Sequence, residues 1–267
     1  MPGRSSHEQL PAGIGAASSI AEPPRRGDKP PDSQKPSGPT TISAGSTSST
    51  HAGRVPLAAA MTATDCCLVE EALVLEHVTR RHGGHSVWAP VDLRLRTGTV
   101  CVVTGANGAG KTTLLRLAAG LLRPTTGTRR CSGTALYLHA GSGLRSAQTV
   151  GDAVAGTARL VGRQRDAPFA VSRLGLDRLA HRRLGTLSAG ERVRASLATA
   201  LAAAPALLCL DEPNGALDEE GLRLLLGVLD DLRAAGCATM IASHQPAGLL
   251  PFADAHLELV NGHLSAP

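Results

Sequence analysis

The chain has 267 residues, enough for one domain of about 200 residues with a sizeable core plus an extension, and a second full domain would be a tight fit. Its net charge of +5 rests on arginines scattered as pairs such as Arg80 and Arg81 or Arg182 and Arg183, with no long basic run and no interleaved aromatics, which argues against a nucleic-acid partner. No apolar stretch reaches about 18 residues, so the chain is not expected to cross a membrane by itself, and its six cysteines lack metal-site spacing and read as buried reduced thiols.

Residues 1–66 are rich in Pro, Ser, Gly, Thr and Ala and nearly free of large apolar side chains, so they are expected to form a disordered extension ahead of a globular domain over 67–267. Met61 stands just before that boundary, which leaves a start at this methionine as the alternative to a true tail. No apolar signal-peptide core is present in the extension. Strand-like runs follow at 73–78, 91–95 with a period of two, and 99–104. A helix is expected over 112–122, halted before Pro124, then a strand at 135–138 and a new helix beginning near Thr149 and Val150. The remaining pattern is a helix at 190–201, a strand at 206–210, a helix at 219–235 closed by Gly236, a strand at 238–242, and a hairpin turn at Asn261-Gly262 on an antiparallel edge. Strands alternating with helices indicate an α/β domain with a largely parallel sheet.

Gly105-Ala106-Asn107-Gly108-Ala109-Gly110-Lys111-Thr112 fits GxxxxGK[ST] between a buried strand and an amphipathic helix. Gly105, Asn107, Gly108 and Gly110, with Thr113 just beyond, are expected to line nucleotide phosphates through backbone N–H groups at a helix N-terminus. Lys111 would reach the terminal phosphates and Thr112 would ligate Mg²⁺. The other two lysines, Lys29 and Lys35, lie in the extension, so the globular part uses arginine everywhere except at this position. A compact ammonium fits such a cradle where an arginine fork does not. Downstream, the strand 206–210 ends in Asp211 and Glu212. Side chains alternate along a strand, so Asp211 is assigned to the Mg²⁺ shell and Glu212 to polarising the attacking water.

Leu187-Ser188-Ala189-Gly190-Glu191-Arg192, one helix before that strand, resembles the LSGGQ signature of ATP-binding cassette (ABC) proteins. Gly215-Ala216-Leu217-Asp218 resembles their D-loop and Ser243-His244-Gln245 their H-switch, and the resemblance covers roughly residues 70–262. It implies a P-loop NTPase ABC cassette: a mostly parallel core sheet, antiparallel edge strands and a helical signature subdomain. It also implies ATP and Mg²⁺ as ligands, hydrolysis with Glu212 and His244 as catalytic residues, and Asp218 beside the nucleotide. Ser188 and Gly190 would close the site of an opposing cassette, a homodimer being the expected arrangement. A separate transmembrane permease would be the partner, with this chain peripheral at the cytoplasmic face of the cell membrane. Two positions depart from the family pattern. His82 stands where an adenine-stacking aromatic is usual, and Gly141 aligns with the Q-loop glutamine, with Gln148 as the alternative. Passages 137–144, 186–194, 211–221 and 242–246 are similar to ATPase subunits of the haem-exporter type used in cytochrome c maturation. Two other readings stand beside a transporter subunit: a non-transport ABC ATPase, and a regulatory cassette of low turnover.

Overall fold

The computed structural model describes residues 70–139 and 143–267, together with the backbone of a two-residue strand, β1 (Ile42–Ser43). That strand, inside the N-terminal extension, pairs parallel with Leu93 and Arg94. Gly141 lies outside the described residues.

Two sheets carry the domain. In the first, β2 (Glu71–Thr79) pairs antiparallel with β5 (Val91–Arg96) on one side and β7 (Thr126–Cys131) on the other. The period of two in β5 sends Val91, Leu93 and Leu95 inward while Asp92, Arg94 and Arg96 stay partly exposed. Between these strands a small hairpin, β3 (Arg81–His82) and β4 (His85–Ser86), turns through Gly83 and Gly84 at φ +56° and +86°, the left-handed pair that a two-residue loop demands.

The second sheet has the order β12-β11-β6-β10-β9-β8, built from β6 (Val100–Gly105), β8 (Ala135–His139), β9 (Leu207–Asp211), β10 (Ala238–Ala242), β11 (Ala255–Val260) and β12 (His263–Ser265). Every pairing is parallel except β11 with β12, so the antiparallel edge foreseen for the C-terminal hairpin is β12 alone. Strands β9 and β10 are buried throughout, which is why they read as unbroken apolar runs. Alternate residues serve opposite cores. Cys101, Val103, Leu207, Cys209 and Met240 pack with α1 (Lys111–Ala118) and the antiparallel sheet. Val100, Val102, Leu208, Leu210 and Ile241 face α2 (Val150–Leu160), α3 (Ala167–Arg173), α4 (Ala189–Ala203) and α5 (Glu219–Ala234).

Helix α1 is shorter than the expected 112–122. It ends at Ala118, and Gly120 at φ +81° lets the N–H groups of Leu121 and Leu122 turn back to the Arg116 carbonyl. The apolar pattern ran on through Leu121 and Leu122, yet Leu121 is exposed, so periodicity alone overshot the cap. Among the described residues no helix is long and apolar enough to cross a membrane.

Candidate functional site

The parallel strands β6 and β9 deliver two loops to one end of the sheet. Strand β6 ends at Gly105, whose φ of +140° and closeness to β11 leave no room for a side chain: an added Cβ would lie 2.4 Å from the Leu259 carbonyl oxygen. The loop continues through Gly108 at φ +81° to Gly110 at φ +106°, the N-cap of α1. No side chain caps that helix and its first turn holds no acid, so the N-terminal N–H groups and the positive dipole end are offered to an anion. Val87 and the buried Trp88 brace the turn, since a Cβ on Gly110 would come within 2.7 Å of Val87 Cγ1. Lys111, 7 % exposed, folds its ammonium over the loop and donates to the Gly105 and Ala106 carbonyls at 2.8 and 3.1 Å. A cleft of about 310 Å³ beside the loop is lined by Asn107, Gly108, Val87 and the Asn261-Gly262 turn.

Asp211, 1 % exposed at the end of β9, is the meeting point of the two loops. Its Oδ2 accepts from Thr112 Oγ1 at 2.8 Å and from Tyr137 Oη at 2.8 Å, and His139 Nδ1 lies 3.3 Å away. Arg116 donates to the Tyr137 oxygen at 3.3 Å and sits 5.5 Å over its ring. Burial above all, opposed by Arg116 and aided by the contact with Asp211, pushes the Tyr137 phenol up to about 12, so near neutrality the phenol keeps its proton and donates it.

Glu212 follows with φ +54°, a left-handed conformation that costs a residue with a Cβ about 1–2 kcal/mol. It is held there by its N–H donating to the Ala242 carbonyl and by its carboxylate, which accepts from the His244 N–H at 3.2 Å and faces His244 Nδ1 at 2.6 Å. Ser243 Oγ donates to Asn214 Oδ1 at 2.9 Å, and Asn214 Nδ2 donates to the Gln245 carbonyl at 2.7 Å, tying the segment after β9 to the one after β10. The two adjacent carboxylates have different neighbours: Asp211 meets Thr112, Tyr137 and His139, while Glu212, turned out of the strand conformation by its positive φ, meets His244.

The signature residues form a second cleft, about 440 Å³, lined by Ser188, Gly190, Glu191, Ala216 and Asp218 among others and containing no residue of the phosphate loop. Ser188 caps α4 reciprocally: its Oγ accepts from the Glu191 N–H and the Glu191 carboxylate accepts from the Ser188 N–H. That backbone contact, first among its causes, lowers the Glu191 carboxyl below its usual range. Gly190 touches the D-loop, a Cβ there meeting the Ala216 carbonyl at 3.1 Å, and Asp218 caps α5 by accepting from the Gly221 N–H at 2.7 Å.

Of the residues expected from sequence, the loop Gly105, Asn107, Gly108, Gly110, Lys111 and Thr112 adjoins Asp211, with Thr113 next on α1, while Ser188, Gly190 and Asp218 stand in the other cleft. His82 is exposed on the β3–β4 hairpin, and Gln148 enters the fold through its backbone, its carbonyl accepting from the Leu184 N–H. Sequence reasoning missed Tyr137, His139, Asn214 and Trp88. The first two become visible once β8 is known to pair with β9, with His139 in register with Asp211.

The family model described as "ABC transporter" matches residues 88–215, from beside the phosphate loop through the signature to just past β9. The cytochrome c biogenesis ATP-binding export protein CcmA of Bradyrhizobium diazoefficiens is 36 % identical over 177 residues, 62 % of this chain and 88 % of that protein. The chain belongs to the ABC transporter family. Another relative of the cassette is the phosphonates import ATP-binding protein PhnC 1 of Natronomonas pharaonis, 34 % identical over 212 residues, 72 % of the chain and 91 % of that protein. Its fold is that of a solved ATP-binding subunit of an ABC transporter, with a TM-score of 0.68 at 21 % identity over 73 % of this chain and 90 % of the other. As a member of the family the cassette is an ATP-binding subunit with ATPase activity, which powers transport through separate membrane components.

Proposed function

We propose that ATP lies with its phosphates on the loop 105–112 and is hydrolysed between two copies of this cassette, each completing the other's site. The observation that carries this reading is the joining of cradle and carboxylate: Lys111 is folded over the loop while the next residue, Thr112, donates to the buried Asp211. Gly105, Asn107, Gly108 and Gly110 present the loop backbone, Thr113 adds a hydroxyl one residue beyond Thr112, and His82 is the adenine contact.

Thr112 and Asp211 supply one hydroxyl and one carboxylate, hard oxygen donors that fit Mg²⁺. Among the described residues no three His, Cys, Asp or Glu side chains cluster for a metal, so the remaining positions would fall to phosphate and water oxygens. When bound, Mg²⁺ neutralises charge on the phosphates. Glu212 is the base that orients and polarises water, and His244, 2.6 Å from its carboxylate, holds it in place and contacts the terminal phosphate. Ser188 and Gly190 of the second copy offer a hydroxyl and the N-terminus of α4 to the same phosphate, with Asp218 beside them. The two clefts share no residue, which supports a composite site.

We further place the cassette, residues 67–267, at the cytoplasmic face of the cell membrane, docked on a permease of the cytochrome c biogenesis exporter type. The resemblance of passages 137–144 and 186–194 to that sub-type and the recurrence of such exporters among the relatives support this choice. Paired variants test the core of the reading. Lys111→Ala is expected to lose ATP affinity and Glu212→Gln to bind ATP without turning it over. A wild-type rate in Glu212→Gln would overturn the assignment of the base.

A further inference from the structure

We propose that Asn214 is a positioning residue for ATP hydrolysis, its amide closing a ring of hydrogen bonds that fixes Glu212 and His244 against the end of β6. The inference rests on the reading of Glu212 and His244 above. Three bonds make the ring: the Gln245 N–H donates to Ser243 Oγ at 3.1 Å, Ser243 Oγ donates to Asn214 Oδ1 at 2.9 Å, and Asn214 Nδ2 donates to the Gln245 carbonyl at 2.7 Å. A carbonyl can only accept, so the amide turns its NH₂ to Gln245 and its oxygen to Ser243, whose hydroxyl gives its proton to that oxygen. His244 is the residue enclosed between the two that the ring holds.

Both sides of the ring are anchored. Ser243 is fully buried, and its N–H donates to the Val103 carbonyl at 3.2 Å, two residues before the phosphate loop begins at Gly105. Asn214 follows Glu212 across the buried Pro213, whose ring locks φ, and its own carbonyl accepts from the Leu217 N–H at 3.2 Å. His244 has no such anchor: its side chain is 47 % exposed, and its hydrogen bonds among the described residues, from the N–H and at Nδ1, are both with Glu212 Oε2. Those bonds join imidazole and carboxylate to each other, so the place of the pair relative to the phosphates is set by the residues that flank it. The Glu212 N–H bond to the Ala242 carbonyl ties the two segments at the strand ends, and the ring ties them again past His244. Asn214→Asp keeps the shape of the side chain but sets an oxygen against the Gln245 carbonyl where a donor stood, which opens the second tie.

The test measures turnover of the full chain together with the affinity and stoichiometry of a fluorescent ATP analogue, so that rate is expressed per folded site. Asn214→Asp and Asn214→Ala are expected to lower kcat about 10- to 100-fold while the dissociation constant changes by less than about twofold, because the lost contact places the groups that act on water and not those that hold the phosphates. Ser243→Ala opens the same ring, so the double variant Asn214→Ala/Ser243→Ala should be no slower than the slower single variant. A merely structural role would remove binding sites in proportion to rate and leave turnover per site unchanged. Wild-type turnover per site in either Asn214 variant, a loss of affinity large enough to account for the loss of rate, or losses that multiply in the double variant overturns the proposal. Glu212→Gln measured alongside separates the two readings. If it is inactive while the Asn214 variants match wild type, the positioning role alone falls; if it turns over at the wild-type rate, the reading of Glu212 falls and the role of Asn214 with it.

Discussion

Replacing Gly105 by alanine should damage the fold and the phosphate loop together, by an amount that follows from two features of one residue. Its φ of +140° is a conformation that side chains rarely adopt, a strain of about 1–3 kcal/mol. The added methyl would also stand 2.4 Å from the Leu259 carbonyl oxygen, which is backbone of β11 in register with Gly105 and cannot swing aside. Overlap of this kind costs about 1–3 kcal/mol more. Together that is roughly 2–6 kcal/mol against a total stability of the order of 5–15 kcal/mol, or a fall in Tm of roughly 4–24 °C for a domain of this size. Gly108→Ala is the control, because Gly108 also has a positive φ, +81°, but has nothing within 4 Å of the new Cβ. It should lose only the strain, about 1–2 kcal/mol. Thermal melts of the two variants followed by circular dichroism measure the difference. Because the Gly105 carbonyl accepts from Lys111 Nζ, Gly105→Ala should weaken ATP binding as well. Equal melting temperatures for the two variants would refute the claim that β11 closes on the loop.

Tyr137 is the chain's one tyrosine, so absorbance near 295 nm titrates it alone. A midpoint near 12 rather than 10 is expected; the stability this represents is complete below pH 10, lost as pH rises to about 12, and a midpoint of 10 in the folded chain would contradict the buried contact with Asp211. Ser188→Ala should cost about 1 kcal/mol through the lost cap of α4. Its loss of turnover should far exceed what that destabilisation explains; unchanged turnover would reduce Ser188 to a helix cap.

Much of the site was legible because its chemistry is local in sequence. The loop 105–112, the pair Asp211 and Glu212, and the capping pattern of Ser188 and Glu191 each lie within a few residues, and the structure places them where strand and helix ends require. What escaped depends on pairing. Tyr137 and His139 carry no motif, and their relation to Asp211 arises only from the register of β8 on β9. Helix α3 was not foreseen and α2 only at its start, since 150–173 is rich in small residues that give weak periodicity; Thr149, accepting from the Asp152 N–H, was the clearest local signal. Helix α1 was overextended because Leu121 and Leu122 kept its apolar period past the Gly120 turn. Asn261-Gly262 did announce its turn, both residues having positive φ.

If Lys111 of one copy and Ser188 of another serve the same ATP, activity must be recoverable from two defective copies. Mixing two inactive variants, Lys111→Ala and Ser188→Arg, tests it directly. A mixed pair contains one site with an intact phosphate loop from the second variant and an intact signature from the first. ATPase activity, absent from either variant alone, should return on mixing and reach its maximum near equal amounts. If each variant is folded and the mixture stays inactive at every ratio, the two clefts do not act across a pair of copies, and the composite site is contradicted.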